Sequence, residues 1–118
     1  AEGHEIGSHA NGHFGDGARW TYDHWKSEFN QFEDLIFNVY RNNRIHRSEN
    51  PFTFGREEIK GFRAPRLAVS KGLWPVLREK GFRYDTSRIR GPGYWPEKDE
   101  NRIWNFPLAS IKVAGTSR

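Results

Sequence analysis

The sequence contains no cysteine and no methionine. Without thiols there are no disulfides, no thiolate metal ligands and no cysteine nucleophile, and the redox compartment is left open. A chain without methionine that begins at Ala1 reads as a processed or excised piece of a longer protein. No apolar run approaches the roughly 18 residues that a membrane-spanning helix needs. The N-terminus also lacks the charged-then-apolar pattern of a secretory signal. No basic run or known nucleic-acid reader motif occurs either. The net charge of +4 comes from arginines spread along the chain, from Arg41 to Arg90 and beyond. That dispersion reads as a solvated basic face, so no nucleic-acid partner is expected; a nucleic-acid binder would betray itself by affinity that falls steeply with salt.

What is present is one small domain's worth of chain, 118 residues, with no internal repeat, low-complexity segment or visible domain boundary. Aromatic residues make up 15% of it, large apolar area from few side chains. Ile6 to Ser8 reads as a strand end running into a glycine-rich loop from His9 to about Arg19. Thr21 then suits an N-cap, and Trp25, Phe29, Phe32, Leu35, Ile36, Val39 and Tyr40 recur at helical spacing, which predicts a helix over 21–42. Asn42 to Pro51 is polar and turn-like. Ile59 to Ala64 predicts a strand ended by Pro65. Ser70 is expected to cap a second helix through Lys80, closed by Gly81, with Pro75 in its first turn. Phe82 to Thr86 and Arg102 to Pro107 predict further strands, with turns at 91–93 and 97–100. Strand and helix in alternation is the pattern of α/β units on a parallel sheet.

The first seventeen residues hold three of the five histidines, and His9 and His13 stand in an H-x3-H spacing among glycines. Imidazole is the commonest metal-ligand side chain, and two on so short a tether can grip one divalent ion. They cannot complete a catalytic zinc site, which needs three protein ligands and a water. Asp16 is close enough in sequence to be considered as a third; His4, His24 and His46 receive no ligand role.

Beyond this loop come Arg63-x-Pro65, then Leu77-x-x-x-Gly81-Phe82, then Asp85. Together with Gly3-His4-Glu5-Ile6-Gly7 ahead of His9 and His13, the order and spacing closely resemble the NodB-like polysaccharide deacetylase family, over about residues 2 to 90. The resemblance implies part of a distorted (β/α) barrel from a metal-dependent hydrolase that removes N-acetyl groups from a polysaccharide or amino sugar. It implies His9 and His13 as ligands of a divalent ion, with zinc the first candidate, which polarises the amide carbonyl and lowers the pKa of water. Arg63 matches the arginine that orients the family's basic aspartate. Asp85 matches a carboxylate that supports the groove. Pro65 and Arg66 fall where substrate is bound. An N-acetylated glycan is the implied partner, and a bacterial cell envelope or secreted location goes with the family.

The departures are specific. Ala10 replaces the usual serine or threonine after the first ligand, which leaves the imidazole spacing intact. Arg66 and Leu67 replace an aromatic and a glycine after the motif proline. The Arg66 N–H remains available as an oxyanion donor, the aromatic wall is lost, and a cation there favours an anionic glycan. The family's aspartate pair lies upstream of the histidines and its acid histidine downstream, and no histidine follows Asp85. Residues 1–118 are therefore expected to be a single partial domain with two ligands, no base and no acid, inactive as it stands. Three alternatives stay open: a related barrel acting on a cyclic amide or imide, a degenerate glycan-binding module using Tyr94, Trp95 and Trp104, and a basic nucleic-acid binder.

Overall fold

The computed structural model describes residues 3–47, 51–111 and 114–115. Part of the polar stretch expected to turn between Asn42 and Pro51, residues 48–50, lies outside them. Thr21 caps helix α1 (Tyr22–Phe37), its hydroxyl accepting from the His24 N–H at 3.3 Å. The expected single helix over 21–42 is broken at Asn38, whose backbone leaves helical geometry at φ −109° and ψ 22°. The Asn38 side chain donates to Asp34 Oδ1 at 2.8 Å, a local bond that competes with the helical ladder. A single turn, α2 (Val39–Asn42), follows.

The strands are short. β1 (Gly61–Phe62) pairs in parallel with β2 (Tyr84–Asp85), and β2 in parallel with β5 (Trp104–Asn105); β4 (Glu97–Lys98) closes that edge antiparallel to β5. Residues 97–98, expected to be turn, thus form an edge strand made by pairing rather than by propensity. β3 (Ile89–Arg90) and β6 (Leu108–Ala109) form a separate parallel pair. At the other edge, Ser8 bridges Phe62 in parallel, with Ser8 N–H donating to Gly61 O and Arg63 N–H to Ser8 O. The class is mixed α/β with mostly parallel sheets, as expected. Among the described residues the sheet stays open, in the order β1-β2-β5-β4, and does not close into a barrel. No described helix is long and apolar enough to cross a membrane.

Helix α3 (Leu73–Glu79), with Gly72 at its N-cap, starts two residues later than a cap at Ser70 predicts. The Ser70 hydroxyl is instead held by the tertiary structure, accepting from Trp25 Nε1 at 2.8 Å and donating to Trp20 O at 2.5 Å. Pro75 does fall in the first turn, where its missing N–H costs nothing. Gly81 ends the helix at φ +81°; its N–H turns back to Arg78 O and that of Phe82 to Leu77 O, a paired closure that needs the left-handed conformation glycine adopts freely. Helices α1 and α3 lie over the sheet and bury Trp25, Phe29, Leu73, Val76 and Leu77 against Ile59, Phe62, Phe82 and Ile103. The Phe29, Phe62 and Phe82 rings tilt against one another at centroid separations of 5.0, 5.2 and 6.2 Å. Truncating one such ring to alanine typically costs about 3–5 kcal/mol.

Since Ser8, β1, β2 and β5 run parallel, the residues that follow each of them emerge at the same end of the sheet. Those are His9, Arg63, Thr86 and Phe106.

Candidate metal centre

His9 leaves the sheet edge directly after the Ser8 bridge. Its Nδ1 lies 2.7 Å from the carbonyl oxygen of Arg63, 54 residues away. With Nδ1 carrying the proton for that bond, Nε2 is left with its lone pair outward, the arrangement in which backbone carbonyls orient metal-ligating imidazoles. The His13 ring sits 4.9 Å from the His9 ring, centre to centre, at 60° between planes. Two imidazoles sharing one tetrahedral zinc, each nitrogen about 2.0–2.1 Å from it, hold their ring centres about 5 Å apart. The pair therefore fits the ligand role. Among the described residues no third histidine, aspartate or glutamate joins them, and Asp16 does not complete the set.

The loop between the two histidines is held by Glu28 on α1. This carboxylate is buried, and its Oε2 accepts from the Asn11 N–H at 3.2 Å and the Gly12 N–H at 3.0 Å. Bonds from N–H groups to an ionised acceptor are among the stronger ones available. Glu28 was not singled out from the sequence. The signal was there: it sits inside the apolar stripe of α1, between Trp25 and Phe29, where a charge has to be satisfied by something.

Backbone strain gathers at the same place. Ala10 and His13 have φ of 60° and 52°, and Arg66 and Leu67 have 53° and 58°. Left-handed conformations are uncommon outside glycine and persist where the surroundings enforce them. The two strained loops touch. A Cβ on Gly15 would fall 2.8 Å from Cδ of Arg66, so glycine lets the exposed arginine lie against the histidine loop.

The Arg63–Leu67 loop is braced from behind. The Ala64 N–H donates to Ser87 Oγ at 2.8 Å, and Ser87 Oγ donates in turn to Asp85 Oδ1 at 2.6 Å. The Ser87 N–H donates to Asp85 Oδ2 at 3.0 Å. Asp85 is 1% exposed, and burial pushes its carboxyl above the usual carboxylate range, opposed by the Ser87 bonds. Asp85 is thus a buttress beneath the loop. Exposed Arg63 directs Nε to Thr86 Oγ1 at 2.7 Å, so it and Asp85 engage neighbouring residues and not each other. Pro65 is buried and sets the turn. After it, the Leu67 and Ala68 N–H groups return to the Ala64 and Pro65 carbonyls, and among the described residues the Arg66 N–H takes no partner.

On the far side of the histidine strand, Glu5 accepts from the Tyr84 hydroxyl, reaching across β1. Gly61 permits the crossing, since a Cβ there would fall 2.2 Å from the Tyr84 ring. The bond to Glu5 raises the Tyr84 phenol to about 12. The roomier surface depressions lie elsewhere, one along the exposed face of α1 by Asp23, Ser27 and Gln31, and neither histidine lines it.

Comparison with protein families and with curated proteins finds no match for the chain.

Proposed function

We propose that this sequence belongs to a metal-dependent hydrolase that removes N-acetyl groups from a polysaccharide or amino sugar, built on a NodB-like distorted (β/α) barrel of which it forms part. The observation that carries the reading is the bond from His9 to the Arg63 carbonyl, because it brings the H-x3-H and Arg-x-Pro segments into one site. His9 and His13 would hold the ion, with zinc among the metals that imidazole ligands suit. An ion held there would supply Lewis acidity toward the amide carbonyl and would lower the pKa of water.

The chain's own residues do the positioning. The Arg63 carbonyl fixes which nitrogen of His9 faces outward. Glu28 holds the backbone between the two imidazoles. Asp85 and Ser87 brace the turn that carries Arg66, whose N–H is a candidate donor to charge developing on the acetyl oxygen. Side-chain cations at Arg63 and Arg66 favour a substrate with negative charge near the acetamido group.

The test is acetate release from N-acetylated oligosaccharides by the full-length protein carrying this sequence, with zinc supplied. Release that disappears in His9→Ala and in His13→Ala supports the reading. Turnover of cyclic ureides alone, or acetate release indifferent to both substitutions, overturns it.

A further inference from the structure

Arg63 is fixed at three points. Its N–H donates to Ser8 O at 3.1 Å, its carbonyl meets His9 Nδ1 at 2.7 Å, and its side-chain Nε donates to Thr86 Oγ1 at 2.7 Å. The acceptor is itself held firmly. Half-buried Thr86 directly follows β2, and its own N–H donates to Phe62 O at 2.9 Å. It stands between Asp85 and Ser87, which are both buried. A β-branched side chain there has little freedom at χ1.

What stays free is the far edge of the guanidinium. Arginine carries five N–H donors, and Thr86 takes only the one on Nε. Arg41, Arg56 and Arg88 each lie close to a carboxylate, at 3.1, 3.6 and 3.8 Å. Among the described residues the Arg63 Nη groups have no such partner. Fixing so long a side chain costs much rotamer entropy, and one bond to a neutral hydroxyl near the surface returns little. A fork pinned at its base and open at its tips is suited to receive two oxygens at once. Its place matters too. Ser8, β1 and β2 are parallel neighbours. The fork therefore rises at the end of the sheet that carries the histidines, from the strand next to His9.

We propose that Thr86 is a positioning residue, aiming the Arg63 fork at a carboxylate that both Nη groups hold. The carboxylate belongs either to the glycan or to a side chain outside the described residues, and the test separates the two. This deepens the hydrolase reading and rests on it.

The test compares wild type, Thr86→Val and Thr86→Ser in the full-length protein with zinc supplied. Valine removes the acceptor and keeps the branched shape; serine keeps the acceptor. Thr86→Ala, which also lacks the hydroxyl, must reproduce Thr86→Val, and circular dichroism verifies that all the variants keep the fold. Acetate release is followed on a neutral N-acetylglucosamine hexamer and on a hexasaccharide of alternating glucuronate and N-acetylglucosamine. Thr86→Val is expected to lower kcat/KM by about tenfold, and Thr86→Ser to recover most of it. A rise in KM confined to the acidic probe assigns the carboxylate to the glycan; a fall in kcat on both probes assigns it to the protein. Nitrogen-15 spectra of the Arg63 guanidinium add a readout independent of turnover. The Nε proton is expected to exchange slowly with water in wild type and Thr86→Ser, and faster in Thr86→Val. Unchanged kcat/KM in Thr86→Val beside an inactive His9→Ala overturns the proposal and leaves the hydrolase reading standing. So does a Thr86→Ser as impaired as Thr86→Val, a KM raised alike on both probes, or an Nε proton that exchanges equally in all three proteins. Wild type that releases no acetate overturns the hydrolase reading, and the positioning role with it.

Discussion

The His9 imidazole and the Arg63 carbonyl meet at 2.7 Å, and through that contact the first loop of the chain and the turn after β1 act as one unit. Neither segment is a site alone. Joined, they present two imidazoles and, at Arg66, a backbone N–H with no partner among the described residues, on a base held by Glu28 and Asp85.

Glu28 is predicted to matter more than an ordinary helix residue. Glu28→Ala leaves the Asn11 and Gly12 N–H groups without their acceptor. Each hydrogen bond to a charged group is worth about 1.5–3 kcal/mol, and water takes up part of the loss at the exposed Gly12 and half-buried Asn11, so about 2–4 kcal/mol is expected from the two together in denaturant unfolding. Amide exchange at Gly12 should quicken, and Glu28→Gln, which keeps a carbonyl acceptor, should recover part of both. A loss below about 0.5 kcal/mol, the scale of a neutral surface change, would refute the role.

Ser87 is predicted to be the weak point beneath the Arg63–Leu67 turn. Ser87→Ala strips the Ala64 N–H of its acceptor and Asp85 of a donor while burying almost the same volume. A cost of about 1–3 kcal/mol is expected, and Ser87→Thr should restore part of it if the added methyl is accommodated. Unchanged unfolding of Ser87→Ala would show that the turn does not depend on this brace.

Tyr84 gives a pH signature. Its phenol is raised to about 12 by the hydrogen bond to Glu5, above its ordinary value of 10.0. Between those values the folded chain holds the proton more tightly than the unfolded chain, so stability falls as pH rises through that window. The contribution is complete below pH 10 and gone above 12. Tyr84→Phe should unfold with a shallower pH dependence there. An identical slope in both proteins would contradict the assignment. Gly61→Ala should be more disruptive than Tyr84→Phe, because its Cβ collides with the ring itself.

Much of the helical framework is legible in the sequence. Thr21 before an apolar stripe marks the start of α1, and Gly81 after Leu77 marks the end of α3. The misreadings trace to contacts between distant segments. Ser70 is occupied by Trp20 and Trp25, so it cannot cap α3. Leu35 fits the apolar periodicity of α1 yet is 55% exposed: Phe32 and Phe37 on either side of it pack against the core, while Leu35 falls on the outer face with Ser27 and Gln31. Residues 97–98 become a strand only because β5 is there to pair with them. At the site, histidine spacing could suggest a metal, but not that a carbonyl from the Arg-x-Pro turn would orient His9. That is a matter of register, and Gly61 and Phe62 alone do not fix it.

The account stands most directly on how the two imidazoles meet zinc. Nitrogen-15 spectra of the histidine rings, recorded as zinc is added, read each ring nitrogen separately. The prediction is that His9 Nε2 and one nitrogen of His13 shift together, while His9 Nδ1 stays protonated on the Arg63 carbonyl and His4, His24 and His46 do not respond. Zinc that leaves His9 and His13 unmoved, or that shifts the other histidines equally, would contradict it.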